Sequence, residues 1–213
     1  MSTIRHALLA LLIIGVSATN GYANGGKTEL QLRNALEFDE TLPPIGYVTF
    51  CASNAKDCSG YGLIEAFKPD MLKITPELWS TLHRINLAVN TAIKPVSDDE
   101  LYGKPEFWTY PTTAGDCEDY LLEKKKLLQK AGLPANALRI TVALDETGAG
   151  HAVLTVTTTE GDYILDNRRD DIRLWSATGY TFLKRQSAHN PKHWVALNET
   201  VKTIADATTA KTP

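Results

Sequence analysis

The amino-acid sequence predicts a single α+β domain in which a helix that begins at a cysteine packs on an antiparallel sheet. Two stretches of the chain have apolar residues at helical spacing. After them come three β-branched segments that are separated only by short polar loops. Helices followed by a meander of strands are typical of the α+β class.

The first 23 residues have the layout of a secretory signal peptide. Arg5 and His6 precede an uncharged run over residues 7–16, and small residues then lead to Ala23. This run is too short to span a bilayer, which takes about 20 residues in a helix. We therefore expect cleavage after Ala23 and export of the mature protein to the periplasm.

Composition favours one globular domain and gives no reason to expect a nucleic-acid partner. The 213-residue chain has a formal net charge of −3, and it lacks a basic cluster on an aromatic platform. Residues 24–196 suit one domain with its own core, which we expect to be a monomer. Thr, Ala and Lys dominate residues 197–213, a pattern that predicts a disordered tail.

An odd number of cysteines leaves one thiol unpaired in an exported chain. Cys51 and Cys58 enclose a short segment with turn formers, which predicts a local disulfide between them. Cys117 is then the free thiol. The residues that lead into the first cysteine, 46–51, have the composition of a short strand.

The first expected helix covers residues 76–93. Thr75 can cap it, Pro76 suits its first position, and apolar residues recur every three or four positions. A polar linker is expected over residues 97–104.

The second expected helix begins near Cys117 and runs to about Lys130. Gly132 and the proline two residues later stop it. Residues 124–126 are three consecutive lysines, and such a charge run predicts a solvated helix face.

Three strands are expected after the second helix, over residues 139–144, 151–157 and 163–166. Each is rich in β-branched residues, and the two loops between them contain the glycines that hairpins need. Consecutive antiparallel pairing of the three strands follows from the short loops.

Cys117, His151 and Asp166 give the densest chemical signal. A cysteine in the first turn of a helix faces unpaired backbone N–H groups and the positive end of the helix dipole, which favour the thiolate. His151 opens one strand and Asp166 ends the next, so antiparallel pairing can bring them together. The three groups would supply a nucleophile, a base and an orienter of the base. Asn167 is the competing orienter. Trp108 is either a cleft wall or oxyanion contributor, or an ordinary core residue.

The acids beside the thiol need an explanation, because like charges would raise its pKa. Asp116, Glu118 and Asp119 flank Cys117. Helix capping and dipole matching are one account of them. A bound cation is the other, and carboxylate oxygens favour Ca²⁺ over a transition metal. Carbonyls or waters from elsewhere would have to complete its coordination.

Taken together, the motifs resemble a known family, the periplasmic bacterial transglutaminase-like cysteine peptidases of the adhesin-processing type. The matching pieces are Gly115-Asp-Cys-Glu-Asp-Tyr120, Ala131-Gly-Leu-Pro134, Gly150-His-Ala-Val-Leu154, Leu165-Asp-Asn167, Tyr180-Thr-Phe-Leu-Lys-Arg-Gln-Ser187 and Trp194. The resemblance extends from about Trp79 to Val195, and the disulfide segment has no counterpart in it.

The resemblance implies a papain-like, transglutaminase-like fold with Cys117 as nucleophile, His151 as base and Asp166 as its partner. It also implies Ca²⁺ as the ion, with Asp116 and Glu118 among its ligands. A surface adhesin is the implied substrate, and an inner-membrane receptor that senses cyclic di-GMP is an implied partner that sequesters the protease.

Two other functions stay open at this point. A transglutaminase would pass the acyl group to an amine in place of water, and nothing in the sequence separates the two reactions. A calcium-dependent binding protein could keep the fold and the ion without turnover, although it would not need a nucleophile, a base and an orienter together.

Overall fold

A computed structural model of the protein describes residues 33–59 and 71–198 and confirms the predicted α+β class. The helices are α1 (Ile45–Ser53), α2 (Pro76–Ala92), α3 (Asp98–Tyr102) and α4 (Cys117–Lys130). The strands are β1 (Glu40–Thr41), β2 (Lys94–Pro95), β3 (Ala114–Gly115), β4 (Leu138–Leu144), β5 (Gly150–Thr158), β6 (Gly161–Asp166), β7 (Arg169–Leu174), β8 (Thr181–Gln186) and β9 (Trp194–Ala196).

A seven-stranded sheet is the centre of the fold. Its order is β1-β9-β8-β4-β5-β6-β7, and every pairing is antiparallel. The three predicted strands are β4, β5 and β6, which pair consecutively as expected. β7 and β8 lie outside those predictions, because charged residues mask their alternation. A separate two-stranded parallel ladder joins β2 to β3.

Helix α2 begins where the sequence predicts. Thr75 Oγ1 accepts a hydrogen bond from the backbone N–H of Leu78 at 3.2 Å, and Pro76 occupies the first turn. The buried side of the helix includes Leu82 and Val89, which belong to the main core with residues of α4 and the sheet. Full burial of one such leucine stabilises the fold by about 2 kcal/mol.

Helix α4 carries Cys117 at its first position and packs on β5 and β6. It ends at Lys130 as predicted. Gly132 follows with a φ of 92°, a left-handed conformation that glycine adopts without steric cost.

The expected solvated lysine face on α4 is wrong for two of its three residues. Lys124 is fully buried and Lys125 is 7% exposed, whereas Lys126 pairs with Glu123 at 3.0 Å in a partly exposed position. The first two lysines lie on the same side of the helix as Leu128 and other core residues. Helical periodicity, and not the charge of the run, therefore decides which side chains are buried.

The predicted strand at residues 46–51 is also wrong, because this segment forms helix α1. Tyr47 and Phe50 are both 3% exposed and pack in the aromatic core. Their three-residue spacing puts both rings on one side of a helix, whereas a strand would send them to opposite faces. Cys51 and Cys58 form the predicted disulfide at the end of this helix.

The polar linker expected over residues 97–104 contains helix α3. Ser97 Oγ accepts a hydrogen bond from Glu100 N at 3.4 Å, and Gly103 ends the helix with a φ of 63°. A capping serine followed by acids in the first turn is a recognisable start signal, although five residues are too few to show a period.

Ion pairs with two buried arginines fasten the N-terminal segment to the face of the sheet opposite α4. Arg185 contacts Asp162 Oδ2 and Glu37 Oε1, both at 2.6 Å. Arg139 contacts the same Glu37 oxygen at 2.5 Å. The backbone N–H of Ala35 donates to Asp162 Oδ2 at 2.9 Å, which ties the segment to β6 directly.

The ends of the chain are only partly described. The predicted signal peptide and residues 199–213 of the predicted tail lie outside the described residues. Leu197 and Asn198 belong to the fold, because Leu197 N donates to Leu183 O at 2.8 Å and Asn198 Nδ2 donates to Phe182 O at 2.9 Å. No helix within residues 33–59 or 71–198 is long and apolar enough to cross a membrane.

Candidate active site

Three elements bring the predicted reactive residues towards the same ends of two neighbouring strands. Cys117 opens α4, His151 is the second residue of β5, and Asp166 is the last residue of β6. Because β5 and β6 are antiparallel neighbours, the start of the first lies beside the end of the second.

His151 and Asp166 form a buried pair. The Nε2 atom of His151 lies 2.9 Å from Asp166 Oδ1, and the two side chains are 4% and 3% exposed. An ionised carboxylate only accepts hydrogen bonds, so Nε2 is the donor and Nδ1 is the basic nitrogen of the neutral ring. Asn167, the competing orienter, makes no such contact, and its Oδ1 is buried without a hydrogen-bond partner among the described residues.

Asp166 stays ionised although it is buried. Burial alone would raise its pKa, but hydrogen bonds from His151, Tyr180 and the backbone N–H of Arg168 lower the pKa to about 2. The Tyr180 hydroxyl donates to Asp166 Oδ2 at 2.5 Å. Tyr180 follows β6 by fourteen positions, and no local sequence signal assigns it to this site.

Cys117 is partly exposed and contacts both the histidine strand and an acid. The backbone N–H of Ala152, the residue after His151, interacts with the sulfur of Cys117 and opposes the rise of the thiol pKa. Its thiol donates to Glu118 Oε2 at 3.1 Å. Burial, and after it the charge and hydrogen bond of Glu118, raise the pKa of the Cys117 thiol. The neighbouring acids therefore raise the pKa of this thiol in addition to burial, as the sequence predicts.

A cluster of carboxylates lies beside the thiol. Asp98, Asp116 and Glu118 each offer a ligand atom, and these atoms lie within 4.8 Å of one another. Asp98 comes from α3, eighteen positions before Asp116, and its backbone N–H donates to Asp116 Oδ2 at 3.1 Å. Sequence reasoning missed Asp98 because only the packing of α3 against the start of α4 brings it here.

Asp119, a sequence-predicted metal ligand, lies next to this cluster but outside the set of mutually close ligand atoms. Its Oδ1 accepts a hydrogen bond from Thr109 N at 3.0 Å, and its Oδ2 is buried without a partner among the described residues. A Cβ at position 115 would collide with the Asp119 carboxylate, which explains why Gly115 precedes the helix.

The pKa values of these acids are raised first by burial and then by the charges of neighbouring acids. Burial, followed by Asp116, raises the pKa of Glu118 to about 9. Burial, followed by the charges of Asp116 and Asp98, raises the pKa of Asp119 to about 7. The pKa of Asp98 is also raised, again by burial and then by Asp116. Asp98 Oδ1 and Asp116 Oδ1 are buried and have no hydrogen-bond partner among the described residues.

Trp108 is a core residue. It is 6% exposed, its ring packs edge-on against Tyr47 at 5.8 Å, and its Nε1 donates to Glu106 Oε2 at 2.8 Å. Of the two roles that the sequence leaves open, the structure agrees with the ordinary one.

Residues 37–202 match the model of the bacterial transglutaminase-like cysteine proteinase (BTLCP) family. This match covers more than half of the chain. The chain belongs to this family.

Two solved structures of LapG from Legionella pneumophila are similar to this BTLCP chain. The calcium-bound structure is 26% identical, covers 59% of this chain and 72% of its own, and superposes with a TM-score of 0.50. The EGTA-treated structure is also 26% identical, covers 65% and 81%, and has the same TM-score. A search of curated proteins found no significant match.

Family membership makes this BTLCP chain a cysteine peptidase with the transglutaminase-like fold, as the sequence predicts. A peptidase acts on a protein substrate.

Proposed function

We propose that this peptidase uses Cys117, His151 and Asp166 as its catalytic triad. The observation that carries the proposal is the hydrogen bond between His151 Nε2 and Asp166 Oδ1. It leaves Nδ1 of the same ring as the base, and the backbone N–H of the residue next to His151 interacts with the sulfur of Cys117. A nucleophile, a base and an orienter thus lie near the same ends of β5 and β6.

In the proposed reaction, His151 Nδ1 takes the thiol proton as the Cys117 sulfur attacks the carbonyl carbon of a peptide bond. The imidazolium then gives this proton to the leaving amine as the C–N bond breaks, which leaves a thioester. His151 next deprotonates a water molecule, which attacks the thioester, and the thiol is regenerated. Backbone N–H groups in the first turn of α4 stabilise the oxyanion in both steps.

We further propose that Ca²⁺ binds at Asp98, Asp116 and Glu118, with Asp119 adding charge beside them. Buried carboxylate oxygens without hydrogen-bond partners among the described residues fit a hard cation at this position. Ca²⁺ is favoured because LapG has been solved in a calcium-bound form. When bound, the ion would supply positive charge that offsets the acids around the thiol.

The proposed location is the periplasm and the proposed substrate is a cell-surface protein, such as a large adhesin. The signal-peptide layout of residues 1–23 supports export. The substrate class, and an inner-membrane receptor that would sequester the enzyme, rest on the resemblance of the motifs to adhesin-processing members.

Digestion of a proteome-derived peptide library tests the reaction. The mature protein, from residue 24 onward, is incubated with the library in CaCl₂ or in EGTA, and new peptide ends are identified by mass spectrometry. We expect cleavage in CaCl₂ by wild-type protein and none by Cys117→Ala or His151→Ala. Equal cleavage by Cys117→Ala would exclude this cysteine as the nucleophile.

A matched pair of variants separates the two orienters that the sequence offers. Asp166→Asn should lower kcat by about 10⁴-fold if the carboxylate sets the tautomer of the base, as in other triads. Asn167→Ala should retain activity, because Asn167 does not contact His151. Incorporation of an added fluorescent amine into peptide glutamines, in place of cleavage, would indicate a transglutaminase.

A further inference from the structure

The two oxygens of Asp166 have different partners. Oδ1 accepts from His151 Nε2 at 2.9 Å and from the backbone N–H of Arg168 at 3.0 Å. Oδ2 accepts from the hydroxyl of Tyr180 at 2.5 Å. The Asp166 carboxylate therefore cannot rotate relative to the imidazole of His151 without breaking its hydrogen bond with Tyr180.

The direction of the Tyr180 proton follows from the charge of Asp166. An ionised carboxylate has acceptors only, so the Tyr180 hydroxyl must donate to Asp166 Oδ2, and the bond is charge-assisted. Burial raises the pKa of Tyr180, and Arg169, which pairs with Glu146, opposes this rise only in part.

Tyr180 also contacts the imidazole directly. Its ring lies edge-on to His151, with centroids 5.3 Å apart and an interplanar angle of 85°. One side chain thus touches both members of the pair, through its hydroxyl at Asp166 and through its ring at His151.

The loop before β8 holds this tyrosine in place. Gly179 has a φ of 84°, a turn conformation that suits glycine, and Tyr180 N donates to Thr178 Oγ1 at 3.2 Å. Thr178 is 5% exposed and donates in turn to Trp175 O at 2.8 Å. Tyr180 itself is 9% exposed and packs with Phe182 in a second, smaller core, which is separate from the main core that contains the residues of α4.

We propose that Tyr180 is a positioning residue of the peptidase reaction, which acts through Asp166 to fix the orientation and tautomer of His151. This inference rests on the proposed triad of Cys117, His151 and Asp166. It adds Tyr180 as the residue that positions Asp166. A carboxylate held on both oxygens keeps its charge, and the lowered pKa of Asp166 agrees with this. The role is not that of an acid or a base, because the pKa of Tyr180 is itself raised to about 12 by burial and then by Asp166.

Tyr180→Phe is the test, because it removes the hydroxyl and keeps the ring. Loss of one hydrogen bond to a charged group should lower kcat by about 10- to 100-fold, with KM changed less than about twofold. Tyr163→Phe is the matched control, since this tyrosine lies on the same strand as Asp166 but packs on Trp79. Full kcat in Tyr180→Phe, or an equal loss in both variants, would overturn the proposal.

A second readout does not depend on turnover. In protein labelled with ¹⁵N-histidine, the Nε2–H proton of His151 should resonate downfield in the wild type and in Tyr163→Phe. In Tyr180→Phe we expect this proton to shift upfield and to exchange faster with water, because Asp166 is no longer held. An unchanged signal contradicts the role. If neither the wild type nor any variant cleaves a peptide, the proposed function fails. The comparison of the His151 proton signal in Tyr180→Phe and Tyr163→Phe then decides by itself whether Tyr180 positions the His151–Asp166 pair.

Discussion

Two regions of the molecule contain clustered acids, and among the described residues only one of them supplies basic partners for its acids. On the face of the sheet opposite α4, Glu37 and Asp162 are paired with Arg139 and Arg185. At the start of α4, the cluster of Asp98, Asp116 and Glu118 has no arginine or lysine in an ion pair with it within the described part of the chain. The first group carries its own counter-charges, and the second does not.

The pKa values follow this difference. Burial opposes ionisation of Glu37, yet Arg139 and Arg185 lower its pKa. Burial of Glu118 has no such compensation, and with Asp116 it raises the pKa to about 9. Acids that pair with buried arginines stay ionised, whereas acids that are buried with one another become protonated unless a cation from outside binds to them.

The largest expected effect is a loss of stability when an arginine of the Glu37 and Asp162 network is replaced. Arg185→Met leaves Asp162 buried without its cation, and the free energy of unfolding should fall by about 3–5 kcal/mol. Urea denaturation followed by circular dichroism measures it. The loss should be the same in CaCl₂ and in EGTA, because this network does not bind the ion.

Arg173→Met, which removes a partly exposed pair with Asp171, is the control and should cost less than about 1 kcal/mol. A loss below that limit in Arg185→Met would contradict the buried-pair account.

Calcium should stabilise the other region by a somewhat smaller amount. At a free concentration about 100-fold above Kd, binding to the folded state adds about 2.7 kcal/mol, which raises the thermal midpoint relative to EGTA. Asp98→Asn should lose most of this shift, whereas Asp99→Asn should keep it, since Asp99 is exposed and outside the cluster. Equal shifts in the two variants would remove Asp98 from the site.

Lys124 is a third case, a buried lysine that forms no ion pair within the described residues. Its Nζ has no hydrogen-bond partner among the described residues, and burial lowers its pKa to about 7, against the partial opposition of Asp166 and Asp170. We expect Lys124→Met to stabilise the protein by about 2 kcal/mol at pH 7 and below.

The sign of the pH dependence follows from the lowered pKa. Between pH 7 and the unfolded pKa of about 10.4, the unfolded chain binds more protons at Lys124 than the folded one, so wild-type stability rises with pH. The advantage of Lys124→Met should therefore shrink across this window, as measured by urea denaturation at several pH values. Lys130→Met, on the exposed end of α4, should show no such trend. A constant advantage would mean that Lys124 stays charged in the folded protein across this window, so that its pKa is not lowered.

Local sequence predicted the elements that have local signals. Thr75 and Pro76 set the start of α2, and Gly132 follows the end of α4. The three consecutive strands and the disulfide also follow from residues that are close in sequence. Helix α1 was not predictable in this way, because its residues have strand composition and only the aromatic core around Tyr47 selects the helix.

The sequence by itself determined which side chains could react and on which elements they lie: a cysteine at a helix start, a histidine at a strand start and an aspartate at the end of the next strand. Only the tertiary structure decided that Asp98 joins the acids and that Tyr180 hydrogen-bonds to Asp166. Caps, periods and tight loops act over a few residues, so they can be read along the chain. Contacts between residues far apart in sequence depend on how whole elements pack, and no local pattern encodes them.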